Sequence, residues 1–213
     1  MTSNQEGKLL LFIIARYFFY GIILLSAPLL ITWEAQHGPQ LHLFGEDSML
    51  ERMQLILLFA TFLCAGHAWR QYPATKVVAL LILGASTLAF IRECDAILDR
   101  SLFDGAWQLF ATIVIILTIA ALRTHRHGLP KALIHYSKTP SFGIMVSGFM
   151  TVFVFSRIIG RQALWKMIMG EGYMRVVKIS VEESIELMGY TLIFIAALEL
   201  LSQNRPTAHL SQD

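Results

Sequence analysis

Apolar residues in this chain come in long unbroken blocks, of which LFATIVIILTIAAL is the clearest, and that feature limits the fold more than any other. A helix rises about 1.5 Å per residue and bilayer hydrocarbon is about 30 Å thick, so about 20 largely apolar residues are needed to cross it. Six stretches meet this demand: Leu9–Trp33, Met49–Trp69, Ala74–Arg92, Ala106–Leu122, Phe142–Ile159 and Val181–Leu201. Barrel strands would alternate apolar and polar residues at period two, and these blocks do not. The sequence therefore predicts an all-α, polytopic integral membrane bundle of six transmembrane helices, forming one domain over residues 1–213. With 55% hydrophobic and 15% charged residues, the composition is that of a membrane chain rather than a soluble domain, in which about 25% of residues are charged.

The first block exceeds the 7 to 15 apolar residues typical of a secretory h-region and no small-x-small cleavage site follows it, so it reads as a retained helix. Cys64 and Cys94 have neither the spacing nor the depth of a disulfide or CxxC site and read as packed thiols. Gly84, Gly143, Gly148 and Gly189 suit close helix packing. A net charge of +2 gives no reason to expect nucleic acid.

Six crossings place the N-terminus, the loops after the second and fourth spans and the C-terminus on one side. The Lys and Arg residues flanking the spans divide evenly, so their count alone does not orient the chain. The acids do not divide evenly: twelve of the fifteen lie on the other side, where they can pair with cations. The loop RTHRHGLPKALIHYSK, with His125, His127 and His135, is then the clearest unpaired basic stretch. The expected location is a plasma membrane of the bacterial inner-membrane type, with both termini cytoplasmic.

On the acidic side, three span ends bring carboxylates to one level. At the start of the second span Asp47, Glu51, Gln54 and Leu58 share a helical face. The third span ends in Arg92, Glu93, Asp95 and Asp99, and the sixth begins with Glu182, Glu183 and Glu186, with Tyr190 one turn further on. Like charges at i,i+3 and i,i+4 repel, and low dielectric strengthens the repulsion. Three compensations are open: a proton on one carboxylate, pairing with Arg92, Arg157 and Arg161, or a bound metal cation.

The expected metal site comprises Glu51, Gln54, Glu93, Asp95, Glu182, Glu183 and Glu186, with Arg92, and with Arg157 and Arg161 at i,i+4 on one helical face, as counter-charges or anion-binding groups. Carboxylate and amide oxygens suit hard cations, which favours Ca²⁺, Mg²⁺ or Mn²⁺ over zinc or iron. No Glu-x-x-His of the di-iron kind is present at these acids, and His42 and His37 are the histidines near this side. Sequence signatures for haem, nucleotide and flavin are absent, as are G-x-S-x-G and H-E-x-x-H.

Three functional readings follow. The first is a divalent-cation site near the outer face, either purely binding or serving a metal-dependent enzyme acting on an anionic lipid or headgroup held by the arginines. The second is an accessory membrane subunit, working with a membrane-protein partner or as a homo-oligomer, in which the charges form an Arg–carboxylate network. A cation transporter or channel is the third, though LLILGASTLAF, IVIILTIAA and LIFIAAL put no charge at mid-span, where transporter sites usually lie. Membrane lipid is the expected surrounding partner.

Overall fold

The computed structural model describes residues 3–38, 48–126 and 128–203, and among them every regular element is helical. The helices are α1 (Ser3–His37), α2 (Met49–Gln71), α3 (Lys76–Glu93), α4 (Asp95–Ser101), α5 (Ala106–Arg123), α6 (Leu129–Tyr136), α7 (Pro140–Met150), α8 (Ser156–Ile159), α9 (Gln162–Met169) and α10 (Arg175–Gln203). Six segments are long and apolar enough to cross a membrane: Asn4–His37, Met49–Gln71, Pro73–Glu93, Ala106–Arg123, Pro140–Ile159 and Arg175–Gln203. The fifth is built from α7, a π-helical turn at Thr151–Phe155, and α8.

The sequence-based segmentation holds to within a few residues except at α1 and α10. Helix α10 begins at Arg175 rather than Val181, because RVVKIS contains no helix breaker and the break falls earlier, at the Gly170–Gly172 turn. Glu182, Glu183 and Glu186 therefore sit two or more turns inside an established helix. The positive helix end, whose influence fades beyond the first turn, does little to stabilise them. Asp47, His42 and His127 lie outside the described residues.

Local chemistry fixes the α2 start. Ser48 is extended and its hydroxyl accepts from the Glu51 amide, a Ser-x-x-Glu capping arrangement, while the buried Glu34 carboxylate of α1 accepts from the Met49 and Leu50 amides at 3.1 and 3.0 Å. A carboxylate at a helix N-terminus satisfies orphan amides and complements the dipole. In α1, Pro28 removes one backbone donor and the Thr32 hydroxyl donates to the Pro28 carbonyl at 2.8 Å.

Helix α10 is the hub, contacting α1, α2, α7 and α8, while α3 packs against both α2 and α5. Leu58, Ile82, Met145, Val152, Tyr190, Ile193 and Leu200 are among the buried residues of the main core. Glycines set the closest approaches. A Cβ on Gly148 would lie 2.9 Å from the Gly189 carbonyl oxygen, and one on Gly189 would lie 3.1 Å from the Gly148 oxygen, so α7 and α10 cross nearly backbone to backbone. A Cβ on Gly84 would meet the Thr118 hydroxyl of α5 at 2.6 Å, whereas Gly143 faces open space and has no such role.

The crossing predicts that Gly148→Leu destabilises the fold by about 1–3 kcal/mol through overpacking, and that Gly143→Leu changes it little. Thermal unfolding of the two variants in detergent measures the difference, and equal midpoints would contradict the close crossing.

Candidate functional site at the acidic end of the bundle

Glu186 is buried on α10 and its partners lie on α8. Its Oε1 accepts from the Ser156 hydroxyl at 2.8 Å and from the Arg157 guanidinium at 2.6 Å, and Arg92 of α3 stands 3.7 Å away. The π-helical turn immediately before Ser156 shifts the helical register there, and both Val152 and Ser156 are fully buried on the α10 side. Arg157 also approaches Glu182 at 3.6 Å, and Lys178 bonds Glu182 from one turn earlier. Gly160 completes the contact: a Cβ there would fall 2.7 Å from the Glu182 carboxylate carbon, so a side chain would displace it.

Glu183, three residues before Glu186, turns toward α2. Its Oε2 accepts from Gln54 Nε2 at 3.0 Å, and the same nitrogen reaches the Glu183 carbonyl at 3.3 Å. Gln54 is fully buried, and its Oε1 has no hydrogen-bond partner among the described residues. Flipping the amide would aim oxygen at two oxygens, so the nitrogen belongs on the Glu183 side and the unsatisfied atom is an acceptor.

Glu93, at the end of α3, accepts from the Tyr190 hydroxyl at 2.7 Å and stands 3.8 Å from Arg92; Glu51 and Glu186 are near enough to act on it electrostatically. Glu93 and Glu186 thus share Arg92, Glu182 and Glu186 share Arg157, and Lys178 adds a second cation to Glu182, while Glu183 lies close enough to Glu186 and Glu93 to interact with them electrostatically. The Cys94 thiol beside them is pushed above its ordinary value by burial and by Glu51, Glu93 and Asp95, which makes it a poor nucleophile. Cys64 and Cys94 are both free.

Two of the candidate residues stand apart. Helix α3 stops at Glu93 and α4 restarts at Asp95, so Asp95 is exposed and its carboxylate accepts from the Ala96 amide at 2.5 Å. Arg161 was expected to share a helical face with Arg157, but α8 ends at Ile159 and Arg161 is extended, at ψ 123, so no common face exists. Arg161 is exposed and pairs with no described carboxylate. Among the described residues, no three His, Cys, Asp or Glu side chains form a group that could hold a metal.

A second polar cluster, not anticipated from the sequence, occupies the opposite end of α10. Fully buried Glu199 accepts from the Tyr20 hydroxyl at 2.9 Å and from Gln203 at 3.0 Å, and lies 3.4 Å from Arg16, which also donates to the Ser202 hydroxyl at 2.8 Å. The signal was present: Arg16 and Glu199 are the ionisable residues set within otherwise apolar runs, RYFFYG and LELL, and an isolated charge there calls for a partner of opposite sign.

The chain matches no protein-family model, no curated protein and no solved structure.

Removing the Glu186 charge leaves Arg157 and Arg92 without their shared anion. Glu186→Gln is expected to destabilise by roughly 2 kcal/mol, below the full cost of breaking a buried pair because Arg157 reaches solvent. Asp95→Asn is expected to be neutral. Chemical or thermal unfolding of both variants checks this, and equal stability would mean that the pair carries no load.

Proposed function

We infer that the protein is an integral membrane protein that binds a divalent cation between α2, α3 and α10 at the acidic end of the bundle. The membrane part of this reading is supported by apolar surface: only 6% of the apolar stretch in α1, and 6% in α5, is buried against the rest of the chain. Exposed to water, such surface would cost about 25 cal/mol per Å², whereas hydrocarbon accepts it. The acidic end is assigned to the outer face and both termini to the cytoplasm, of a bacterial inner-membrane type of bilayer, because the sequence from Arg123 to Lys138 is basic and contains no Asp or Glu. Cysteines introduced at positions 104 and 128 test the orientation: an impermeant thiol reagent applied from outside is expected to label 104 and spare 128, and the opposite pattern inverts it.

One observation carries the cation reading, the Gln54 Oε1, buried next to Glu183 and without a donor among the described residues. A buried acceptor without a donor costs about 1–3 kcal/mol, and a cation held jointly with the Glu183 carboxylate meets that need. Gln54, Glu183, Glu51 and Glu93 are the proposed ligands, while Glu182 and Glu186 hold α8 to α10 through Arg157. Oxygen donors favour Ca²⁺, Mg²⁺ or Mn²⁺. The enzymatic extension of this reading, on an anionic lipid headgroup, keeps Arg157 as an anion contact but loses Arg161.

A second reading, an accessory subunit whose charges only brace the bundle, is favoured by the Arg157–Glu186–Ser156 contacts and by the absence of a preassembled metal group among the described residues. Elemental analysis of protein purified without chelators separates the two. Near-stoichiometric metal in the wild type, lost in a folded Gln54→Leu/Glu183→Gln variant, is the expected result. No metal in either would leave the bracing network as the function of the cluster.

A further inference from the structure

A cavity of about 300 Å³ lies at the other end of the bundle, where the start of α3, helix α6, the start of α7 and the end of α10 converge. That volume is at the lower end of the range for small-molecule sites. Its walls differ in character. Ala74, Val78, Ala132 and Leu200 form an apolar floor, and His135 and Lys138 stand at the rim. Both rim side chains are exposed, and neither makes a hydrogen bond or ion pair to any described residue. The other hydroxyls around the cavity are already engaged: Thr75 donates to the Tyr72 carbonyl, Thr139 to the Tyr136 carbonyl, and Tyr136 bonds Ser141.

The segment that carries the rim is basic. No Asp or Glu occurs between Asp104 and Glu171, and the carboxylate at this end of α10, Glu199, is held by Arg16, Tyr20 and Gln203. The Lys138 ammonium and the His135 imidazole therefore lack a carboxylate within their own segment and face a cavity with space for an anion. Its position narrows the choice of anion. Pro73 and Pro140 open their spans and Gln203 closes the last, so the cavity sits where the apolar stretches end, at headgroup level in a bilayer. Helix α6 flanks it with Leu133 and Ile134 exposed, as in a short helix lying at an interface.

We propose that this cavity binds the phosphate group of an anionic phospholipid, with His135 and Lys138 holding the phosphate and the Val78–Leu200 floor covering the glycerol and upper acyl carbons. Basic pockets between membrane helices favour such headgroups. Free phosphate shares the chemistry at the rim but has no use for an apolar floor.

Native mass spectrometry of the full chain in mild detergent, with added phosphatidylglycerol or phosphatidylcholine, tests the assignment. Retention of phosphatidylglycerol is expected to exceed that of phosphatidylcholine by about tenfold and to fall by about tenfold in His135→Ala/Lys138→Ala, since a nearby lysine strengthens anionic-lipid attraction severalfold and the imidazole supplies a further hydrogen-bond donor. Arg123→Ala is expected to leave retention unchanged, Lys138→Arg to preserve it, and millimolar inorganic phosphate not to displace the lipid. Equal retention of the two lipids, or an unaffected double variant, overturns the proposal. Displacement by inorganic phosphate overturns it as well, by assigning the rim to the free anion. Because both rim side chains are exposed and make no contact, the variants are expected to fold, and a size-exclusion profile matching the wild type verifies it.

Discussion

The close crossing of α7 and α10 at Gly148 and Gly189 organises the acidic end of the molecule. With no side chain between the two backbones, the continuation of α7 through the π-helical turn is drawn against α10, and Ser156 and Arg157 arrive at Glu186. Once Glu186 is occupied from the α8 side, Glu183, three residues earlier, is left to face α2, where it meets Gln54. The acids that crowd one stretch of sequence are thus distributed to two neighbours: Glu182 and Glu186 to the arginine of α8, Glu183 to the amide of α2.

The second polar cluster gives the bundle a polar station at each end of α10. Glu186 and Glu199 are separated by about 20 Å along the helix, and between them α10 presents Leu187, Gly189, Ile193, Ile195 and Ala196 to the core. Tyr190, bonded to Glu93, is the ionisable side chain in that interval. A transport path would need free polar groups or an opening through this layer, and the buried Thr61, Ser86 and Thr191 hydroxyls there each donate to a carbonyl of their own helix. At its acidic end α1 is held through Glu34, which caps α2; at the other it is held through Arg16 and Tyr20, which meet Glu199. Most of its remaining surface is left outward, so polar contacts do much of the work of fastening it.

The helical segments were legible because a run of about 20 apolar residues is the length that hydrocarbon thickness demands, and six segments long and apolar enough to cross a membrane are found. The site was harder. The contacts of Gln54 with Glu183 and of Glu93 with Tyr190 depend on helix rotation, which no single sequence reveals. Arg161 was assigned to the wrong face because i,i+4 spacing assumes an unbroken helix, and the chain leaves the helix at Gly160. Asp95 fell away for the same reason, a break at Cys94. The Ser48/Glu51 cap, by contrast, was legible as a Ser-x-x-Glu and passed over, as were the isolated Arg16 and Glu199.

The central claim is that the unsatisfied oxygen of Gln54 and the carboxylate of Glu183 hold a cation. An anomalous difference map from crystals of the protein soaked in Mn²⁺ tests it most directly. The account predicts a peak within about 2.3 Å of Gln54 Oε1 and of a Glu183 carboxylate oxygen, a separation suited to hard cations. A well-ordered Gln54 with no peak beside it, or with its amide oxygen bonded to a protein donor, would contradict the account.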